Sequence, residues 1–488
     1  MKKILQSSIL LMGLFIAVNT QGQTLRYLDE VFSNVVVDTT IAYGANKSYL
    51  TGFAITDSLY MDVYRPAGDT STNRPVVILM HAGSYLPGSL TGLGWANRRE
   101  NCLVELCNRY AKRGWVAVSI SYRLGWNPQG NQNTRTGTIL NAVYRSMQDA
   151  KTCIRYFRND AANGSDQWGI DPTKFVLGGT NSGAYTALAA GNLNKPSEIV
   201  VDKFLDSLGN SFIDTTKTGN FDGWGGTQNV ENYVGISAEF NAVLPLGGAI
   251  GDTSWIEVGE APVIAFSGVS DVGTPFNTGI VSTQAGTVPI IEVSGAGDFM
   301  PYVAALGNNS GFSPNSFAVA DSNRSTNDGI NFFRSAPVDG LYPFWGVGFE
   351  PWNWYDPFLP PASNPNATQT IAMAYIDTIM GYANPRLYRL LFDATYGNPS
   401  GLHEVKGAIE MNVFPSPASN KLNVIINSLQ KPISSIRLLD VTGRLAKEIT
   451  NVNAYSESID VSNMSSGVYL LNLMLTDGTT STKRVAID

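Results

Sequence analysis

The stretch Lys174–Leu188, KFVLGGTNSGAYTAL, joins a short apolar run to a segment of small residues. Gly179 and Gly183 have the spacing of a G-x-S-x-G turn between a strand and a helix. Such a turn raises its central side chain above a sheet, where a serine hydroxyl can attack an acyl carbon. Here the central residue is Asn181, and its amide nitrogen is a poor nucleophile because the lone pair is delocalised. With Asn181 at the centre of the turn, attack by a serine hydroxyl on an acyl carbon is not available.

A frame shifted by one residue offers Ser182 as an alternative nucleophile. That frame puts Thr180 and Ala184 at the two positions where the turn needs the smallest side chains. Thr180 is β-branched, and it is poorly suited to a close approach between backbone segments. We therefore interpret Asn181 as the apex of the turn and keep the shifted frame as the alternative.

Acyl transfer also needs a general base, which is most often a histidine. The chain contains two histidines, His81 and His403. His81 directly follows an apolar run, whereas His403 lies in a polar stretch far along the chain from Asn181. A carboxylate titrates too low to replace the histidine unless its pKa is strongly shifted. We therefore expect no working nucleophile and base at the turn.

The segments around the turn alternate between strand and helix patterns. Apolar runs without polar interruption predict buried strands at 75–80, 115–122, 174–179, 242–248, 261–268 and 288–295. Apolar residues at helical spacing predict helices at 96–112, 139–159 and 368–392. This alternation predicts an α/β fold with a mostly parallel, doubly wound sheet. The long segments 195–235 and 300–365 predict cap or loop insertions.

Composition limits the class of partner. The chain has 33 Lys and Arg against 40 Asp and Glu and no basic cluster, which argues against nucleic acid. Two lysines followed by an apolar run at 9–18 predict a signal peptide over residues 1–22, and no later stretch is apolar enough to span a membrane. For Cys102, Cys107 and Cys153, either three buried thiols or a Cys102–Cys107 disulfide is possible.

The C-terminal part of the chain, residues 411–488, has short alternating strands that predict a small all-β sandwich, preceded by a linker at 401–410. It resembles the C-terminal sorting domain of the Bacteroidetes type IX secretion system. The matching motifs are Phe414-Pro415-Ser416-Pro417-Ala418, Leu439-Asp440-Val441-Thr442-Gly443-Arg444, Ser466-Gly467-Val468-Tyr469 and Lys483-Arg484. The resemblance implies the type IX secretion machinery as a partner and export through the outer membrane, to the cell surface or the medium.

Residues 23–400 resemble the esterase/lipase branch of the α/β-hydrolase superfamily. The matching stretches are HAGSYLPGS from His81, SYRLGW from Ser121, QDAKTCIRYFRNDA with the later DPTKFVLGGTNSGA, and APVIAFSGVSDVGTPF from Ala261. The resemblance implies an α/β-hydrolase sheet with Asn181 in the place of the nucleophilic serine. It also implies that Asp271 is the acid of the triad.

Further positions follow from the same resemblance. The family's histidine base lies in a loop after the last strand, often in a G-x-G-H stretch, and we expect Asp298 of Gly295-Ala296-Gly297-Asp298 there. His81 matches the first residue of the family's HGGG motif, which has a structural role. The expected oxyanion donors are the backbone N–H groups of Gly83, Ser84 and Ser182.

Asn181, Asp271 and Asp298 are thus expected to converge at one edge of the sheet. Their oxygens suit a hard cation, but three ligands fall short of the six or more that Ca²⁺ takes, so we expect neither a metal nor another cofactor. An aromatic segment at 342–354 is either a stacking surface for a ligand or packing for a cap.

Three functions are possible. The favoured one is a secreted pseudo-hydrolase that binds a small molecule, lipid or glycan bearing a carbonyl or carboxylate group. The second is an active ester hydrolase with a non-standard site, in which Asp271 and Asp298 share a proton and activate water. The third is a structural or adhesive surface protein, for which the sorting domain and the polar loops are the only sign.

Overall fold

The structure is a computed structural model that describes residues 24–50, 54–92, 96–283, 288–312, 338–354, 368–397, 411–426, 431–441 and 443–488. The chain divides into two compact units, and the change from the first to the second follows Phe392. The predicted signal peptide at 1–22 and the linker at 401–410, with His403, lie outside the described residues.

A mostly parallel sheet forms the centre of the first unit. Its strands and those beside it are β1 (Val35–Ser48), β2 (Ile55–Pro66), β3 (Arg74–Met80), β4 (Val116–Ile120), β5 (Ile170–Thr180), β6 (Ala242–Leu246), β7 (Ala249–Ile250), β8 (Ala265–Gly268), β9 (Thr278–Ser282), β10 (Pro289–Gly295) and β11 (Leu341–Phe344). Eight of them form one sheet in the order β1-β2-β4-β3-β5-β6-β8-β11, parallel from β4 to β11. Strands β7, β10 and β9 form a separate antiparallel sheet.

Helices cover both faces of the main sheet. They are α1 (Gly88–Thr91), α2 (Asn101–Lys112), α3 (Gln132–Asn163), α4 (Ser182–Asn192), α5 (Thr215–Thr218), α6 (Ala296–Ala305) and α7 (Gln369–Leu391). Residues of α3, α4 and α6 share one buried cluster with Val76 and Ile78, whereas α2 and α7 pack with Val77 and Leu79. Successive strand residues point to opposite faces, so the uninterrupted apolar run of β3 supplies both cores.

The predicted α/β-hydrolase type of fold is confirmed. The run at 288–295 forms a strand as expected, but this strand, β10, belongs to the separate sheet. The last strand of the main sheet is instead β11, which lies in the aromatic segment 342–354 and pairs in parallel with β8. Helix α3 begins earlier than predicted because the side chain of Asn131 caps it and accepts a hydrogen bond from the N–H of Thr134 at 2.9 Å.

The second unit is all-β, as predicted. Its strands are β12 (Met411–Phe414), β13 (Lys421–Ile426), β14 (Ile433–Asp440), β15 (Leu445–Ala454), β16 (Ser456–Asp460), β17 (Gly467–Leu475) and β18 (Thr480–Ile487). They form two antiparallel sheets, β12-β13-β16 and β15-β14-β17-β18. Alternate residues from both sheets share one buried apolar cluster, which is why strands this short form a stable sandwich.

The three cysteines are all buried and free, so the Cys102–Cys107 disulfide is not formed in this structure. Their burial among apolar neighbours matches the alternative of three small apolar side chains. Within the described part of the chain, no helix combines the length and the apolar character that a membrane crossing requires.

Candidate functional site

A tight turn at 179–183 joins β5 to α4, and we call it the Asn181 turn. Asn181 is the single residue between the strand and the helix, with φ 43° and ψ −112°, and its side chain does not cap α4. A Cβ added to Gly183 would lie 2.1 Å from the carbonyl oxygen of Met80, and one added to Gly179 would lie 2.5 Å from the same atom. Both flanking positions therefore need glycine, and the structure places Asn181 at the apex.

The hydroxyl of Ser182 is buried, and it lies 3.1 Å from the hydroxyl of Tyr122. The carbonyl of Ser182 accepts hydrogen bonds from Tyr85 at 2.7 Å and from Thr186 at 3.0 Å. Ser182 is also the first residue of α4, whereas Asn181 is the residue between the strand and the helix. In the shifted frame the hydroxyl would be paired inside the protein, which disfavours that frame.

His81 is buried next to the same tyrosine. Its ring stacks on Tyr122 with centroids 4.5 Å apart, and its Nδ1 lies 2.5 Å from the carbonyl oxygen of Ala82. Burial lowers the pKa of His81 to about 4, so the ring is neutral at pH 7. Tyr122 donates a hydrogen bond to the carbonyl of His81 at 2.7 Å, so the histidine and the tyrosine support each other. These contacts are structural, and they give Asn181 no proton acceptor.

The loop after His81 has an unusual backbone. Gly83, Ser84 and Tyr85 have φ values of 123°, 53° and 57°. The carbonyl of Ser84 accepts a hydrogen bond from the indole of Trp126 at 2.7 Å, and the N–H of Gly125 donates to Tyr85 at 2.7 Å. These bonds turn the carbonyls of the loop toward 125–126. The N–H groups of the expected oxyanion donors, Gly83, Ser84 and Ser182, form no hydrogen bond with any described residue.

Asp271 lies in the loop after β8. Its Oδ1 accepts hydrogen bonds from two backbone N–H groups, at 2.7 and 3.1 Å. Burial raises the pKa of Asp271 to about 6, against the opposing effect of those two bonds. The Thr274 hydroxyl of the same loop donates to the Gly247 carbonyl at 3.1 Å, and the N–H of Asn181 donates to Leu246 at 2.9 Å. Asp271 and Asn181 therefore both adjoin the end of β6.

Asp298 lies elsewhere, and the structure corrects our expectation for it. It is in the first turn of α6, where it accepts hydrogen bonds from the Asn277 side chain at 2.8 Å and the Thr278 N–H at 2.6 Å. It lines a groove of about 440 Å³ whose described lining includes neither Asn181 nor Asp271. The histidine position was counted from β10, which is not the last strand of the main sheet. Asn181 and Asp271 adjoin the end of β6, whereas Asp298 follows a strand of the separate sheet.

The segment after β11 contains an acid that the sequence analysis missed. Residues 346–350, GVGFE, carry a second G-x-G pattern and end at Glu350, which is fully buried with φ 41°. The N–H of Ser270 donates to a carbonyl of this segment at 3.0 Å, and a Cβ added to Gly268 would lie 2.5 Å from another. The segment is therefore pressed against the loop that carries Asp271. The repeated G-x-G was the available signal for it.

A second buried acid, Glu100, connects two segments next to the Asn181 turn. Its carboxylate accepts hydrogen bonds from the N–H of Ala82 at 3.2 Å and from the hydroxyl of Thr180. Burial raises the pKa of Glu100. Glu100 thereby ties the loop after β3 to the last residue before Asn181.

Most of the aromatic segment is packing. Tyr342, Phe344 and Trp352 are buried, and the Phe344 and Trp352 rings lie 6.2 Å apart. Trp352 also lies beside Gly247, where an added Cβ would be 3.3 Å from its ring. Trp345 is exposed, and Phe349 and Trp354 are partly exposed. Among the described residues, no group of three His, Cys, Asp or Glu side chains has the arrangement of a metal site.

Two parts of the chain match known families. Residues 61–222 match the family described as BD-FAE, an esterase-like α/β-hydrolase domain. Residues 412–488 match the family described as secretion system C-terminal sorting domain. No curated protein matches the sequence.

Solved structures of esterases are also similar to this chain. Thermogutta terrifontis esterase 2 phosphorylated by paraoxon is 16% identical, with a TM-score of 0.38, and the match covers 76% of this chain and 98% of that one. The thermophilic esterase of the same species with propionate bound is 15% identical, with a TM-score of 0.35, covering 67% and 91%. At these scores the likeness carries no argument about activity.

Proposed function

We propose that this chain, an esterase-like α/β-hydrolase with a C-terminal secretion sorting domain, binds a carbonyl- or carboxylate-bearing ligand without hydrolysing it. The sorting domain directs export by the type IX system to the cell surface or the medium. The observation that carries the proposal is the position of Asn181, which stands at the apex of the turn with φ 43°. The ligand is a small molecule, a lipid or a glycan.

Nucleophilic catalysis is disfavoured at both of its steps. The amide of Asn181 cannot form the acyl intermediate that a serine forms. The described histidine, His81, is buried with its pKa lowered to about 4, and its hydrogen bond is with the backbone. In a serine protease, loss of the nucleophile or the histidine lowers turnover by about 10⁶. A turnover that is about 10⁶-fold lower is too slow to sustain the function of an enzyme.

Binding is favoured by the donors that remain. The N–H groups of Gly83, Ser84 and Ser182 have no acceptor among the described residues, and the amide of Asn181 adds two more N–H donors. Such a set of donors matches the oxygen of a carbonyl or a carboxylate. The ligand's oxygen would then be held where an ester oxygen is held in a working hydrolase.

A second candidate, hydrolysis by activated water, is favoured by one observation. Burial raises the pKa of Asp271 to about 6, which brings this carboxyl close to the range of a general base at neutral pH. Above pH 6 the carboxylate would take a proton from water while Asn181 orients that water. This candidate needs only the two residues that adjoin the end of β6.

The test compares binding and turnover in the full chain. We expect saturation-transfer NMR to detect butyrate and octanoate at the protein, and p-nitrophenyl butyrate to be cleaved no faster than in buffer. Asn181→Leu should weaken butyrate binding about tenfold through the lost donors. Asn163→Leu, at the exposed end of α3, is the control and should change nothing.

Two results would overturn the proposal. If neither acid binds, or if Asn181→Leu binds butyrate as the wild type does, the Asn181 turn is not a binding site. If the ester is cleaved well above buffer and Asp271→Asn abolishes the cleavage, the second candidate replaces the first.

A further inference from the structure

A groove of about 710 Å³ adjoins the loop after β3. Its wall includes Trp126, whose indole holds the Ser84 carbonyl at 2.7 Å, and Arg145 on α3. Tyr49 and Phe212 contribute further aromatic surface. We call this cavity the Arg145 groove. It lies at the carboxyl end of β4, which is the edge of a parallel sheet where ligands bind in α/β folds.

Arg145 is a buried cation without an acid of its own. Its Nη2 donates to the carbonyl of Gly125 at 2.7 Å, its Nε is enclosed without an acceptor, and no described residue accepts from its Nη1. No described carboxylate lies within salt-bridge distance. The guanidinium lies 5.2 Å from the centre of the Tyr49 ring. A buried charge is costly unless an opposite charge meets it, so this arrangement favours an anionic ligand.

The acid on α3 next to Arg145, Asp149, already forms a salt bridge with Arg123. Asp149 lies one helical turn after Arg145. Its carboxylate accepts two hydrogen bonds from Arg123, one from the Arg123 Nε at 2.8 Å and one from the Arg123 backbone N–H at 2.8 Å. Both partners of that pair are buried. Burial and, after it, the nearby charge of Arg123 lower the pKa of Arg145 to about 10 against the opposing effect of Asp149, so the guanidinium is still charged at pH 7. Two arginines therefore share one carboxylate, and a positive charge is left at the groove.

The other charges of the groove cancel. Lys217 lines it too, but its ammonium pairs with Asp214 at 2.9 Å, and Asp214 is also part of the lining. The remaining wall combines apolar and aromatic side chains with uncharged polar ones such as Asn141 and Thr138. An occupant should therefore combine one negative charge with a ring that packs on aromatic side chains.

We propose that the Arg145 groove binds a ring compound bearing a carboxylate, with the carboxylate at the Arg145 guanidinium and the ring between Trp126 and Phe212. An acidic glycan with uronate units and an aromatic acid share this chemistry. This site is separate from the Asn181 turn, because Asn181 does not line the groove.

Calorimetric titration of the full chain tests the proposal. The probes are trigalacturonate with neutral maltotriose as its control, and phenylacetate with neutral 2-phenylethanol. We expect at least one acid to bind about tenfold or more tighter than its neutral control. Binding of only the first acid identifies an acidic glycan, and binding of only the second identifies an aromatic acid.

Variants connect the binding to the groove. Arg145→Met should weaken the bound acid about tenfold or more, and Arg145→Lys, which keeps the charge but loses the planar fork, should weaken it less. Phe212→Ala removes part of the ring's packing, and it decides the question if Arg145→Met fails to fold. Lys203→Ala is the matched control, because Lys203 does not line the groove and its ammonium pairs with Asp252 at 3.0 Å.

Equal binding of acid and neutral probes, or no binding at all, would overturn the proposal. So would a folded Arg145→Met or Phe212→Ala protein that binds the acid as tightly as the wild type. The same titrations in an Asn181→Leu protein separate the two sites, because Asn181 does not line the groove. Acid binding that persists there and is weakened by Arg145→Met belongs to the groove, and acid binding that disappears with Asn181→Leu belongs to the Asn181 turn.

Discussion

Asp271 and Asp298 each lie just beyond a strand, but the two carboxyl groups differ in their burial and in their hydrogen-bond partners. Asp271 follows a strand of the main sheet, is buried, and has its pKa raised to about 6 by that burial. Asp298 is half-buried in the first turn of α6, where it holds Asn277 and Thr278. The first acid is held where ionisation is costly, which is common at functional sites, and the second anchors a loop to a helix.

The difference shows what a short motif can and cannot tell. Both Gly295–Asp298 and Gly346–Glu350 carry G-x-G before an acid. Only the second follows the last strand of the main sheet, the place at which the resemblance to esterases leads us to expect the base. The motif describes a local turn, and the sheet to which the preceding strand belongs decides what the turn faces.

The largest expected effect comes from rebuilding the missing catalytic groups. Asn181→Ser with Glu350→His should hydrolyse p-nitrophenyl butyrate about 100-fold or more faster than wild type, because general-base catalysis contributes that much. Histidine is among the residues that tolerate the positive φ of position 350. Asn181→Ser with Asp298→His is the matched control and should stay at the wild-type rate. If only the variant with Asp298→His gained activity, position 298 and not position 350 would be the place of the base.

Asp271→Asn should stabilise the protein at pH 8. The pKa of Asp271 is raised from 3.8 to about 6, so ionisation of the wild-type carboxyl above pH 6 costs about 3 kcal/mol of folding free energy. An amide still accepts the two backbone hydrogen bonds through its oxygen. The advantage should shrink between pH 6 and pH 4, where the wild-type carboxyl becomes protonated.

Urea denaturation of both proteins at pH 8, 6 and 4 measures this difference. A variant that is less stable than wild type at pH 8 would show that the Asp271 carboxylate has a stabilising partner.

Asp298→Asn should have a smaller effect of the opposite sign. Both oxygens of Asp298 accept hydrogen bonds, and an amide can replace only one of them. We expect a loss of about 1 to 2 kcal/mol at pH 8. The same urea series checks it, and a stabilised variant would remove the contrast between the two aspartates.

Much of the fold was predictable because its signals are local. The uninterrupted apolar run of β3 predicted a strand buried on both faces, and the spacing of Gly179 and Gly183 predicted the Asn181 turn. Asp271 also lies where the motif APVIAFSGVSD predicted it, after β8. Its position near Asn181 could be predicted because parallel strands end at one edge of a sheet.

The last strand could not be predicted in the same way. β11 has four residues and includes Pro343, and a proline argues against an ordinary strand. It is tolerated because β11 is the edge strand, paired on one side with β8. The longer apolar run of β10 was the stronger pattern, and this led to Asp298 instead of Glu350.

The sequence by itself determined the alternating strands and helices, the asparagine at the apex of the turn, and the all-β sorting domain. These depend on neighbouring residues, whose spacing is written in the chain. The tertiary structure alone decided which strand is the last of the main sheet, that Glu350 is buried just after it, and that Arg145 forms no salt bridge with any described carboxylate. Each of these depends on contacts between residues far apart in the chain, and burial and charge pairing exist only once those contacts form.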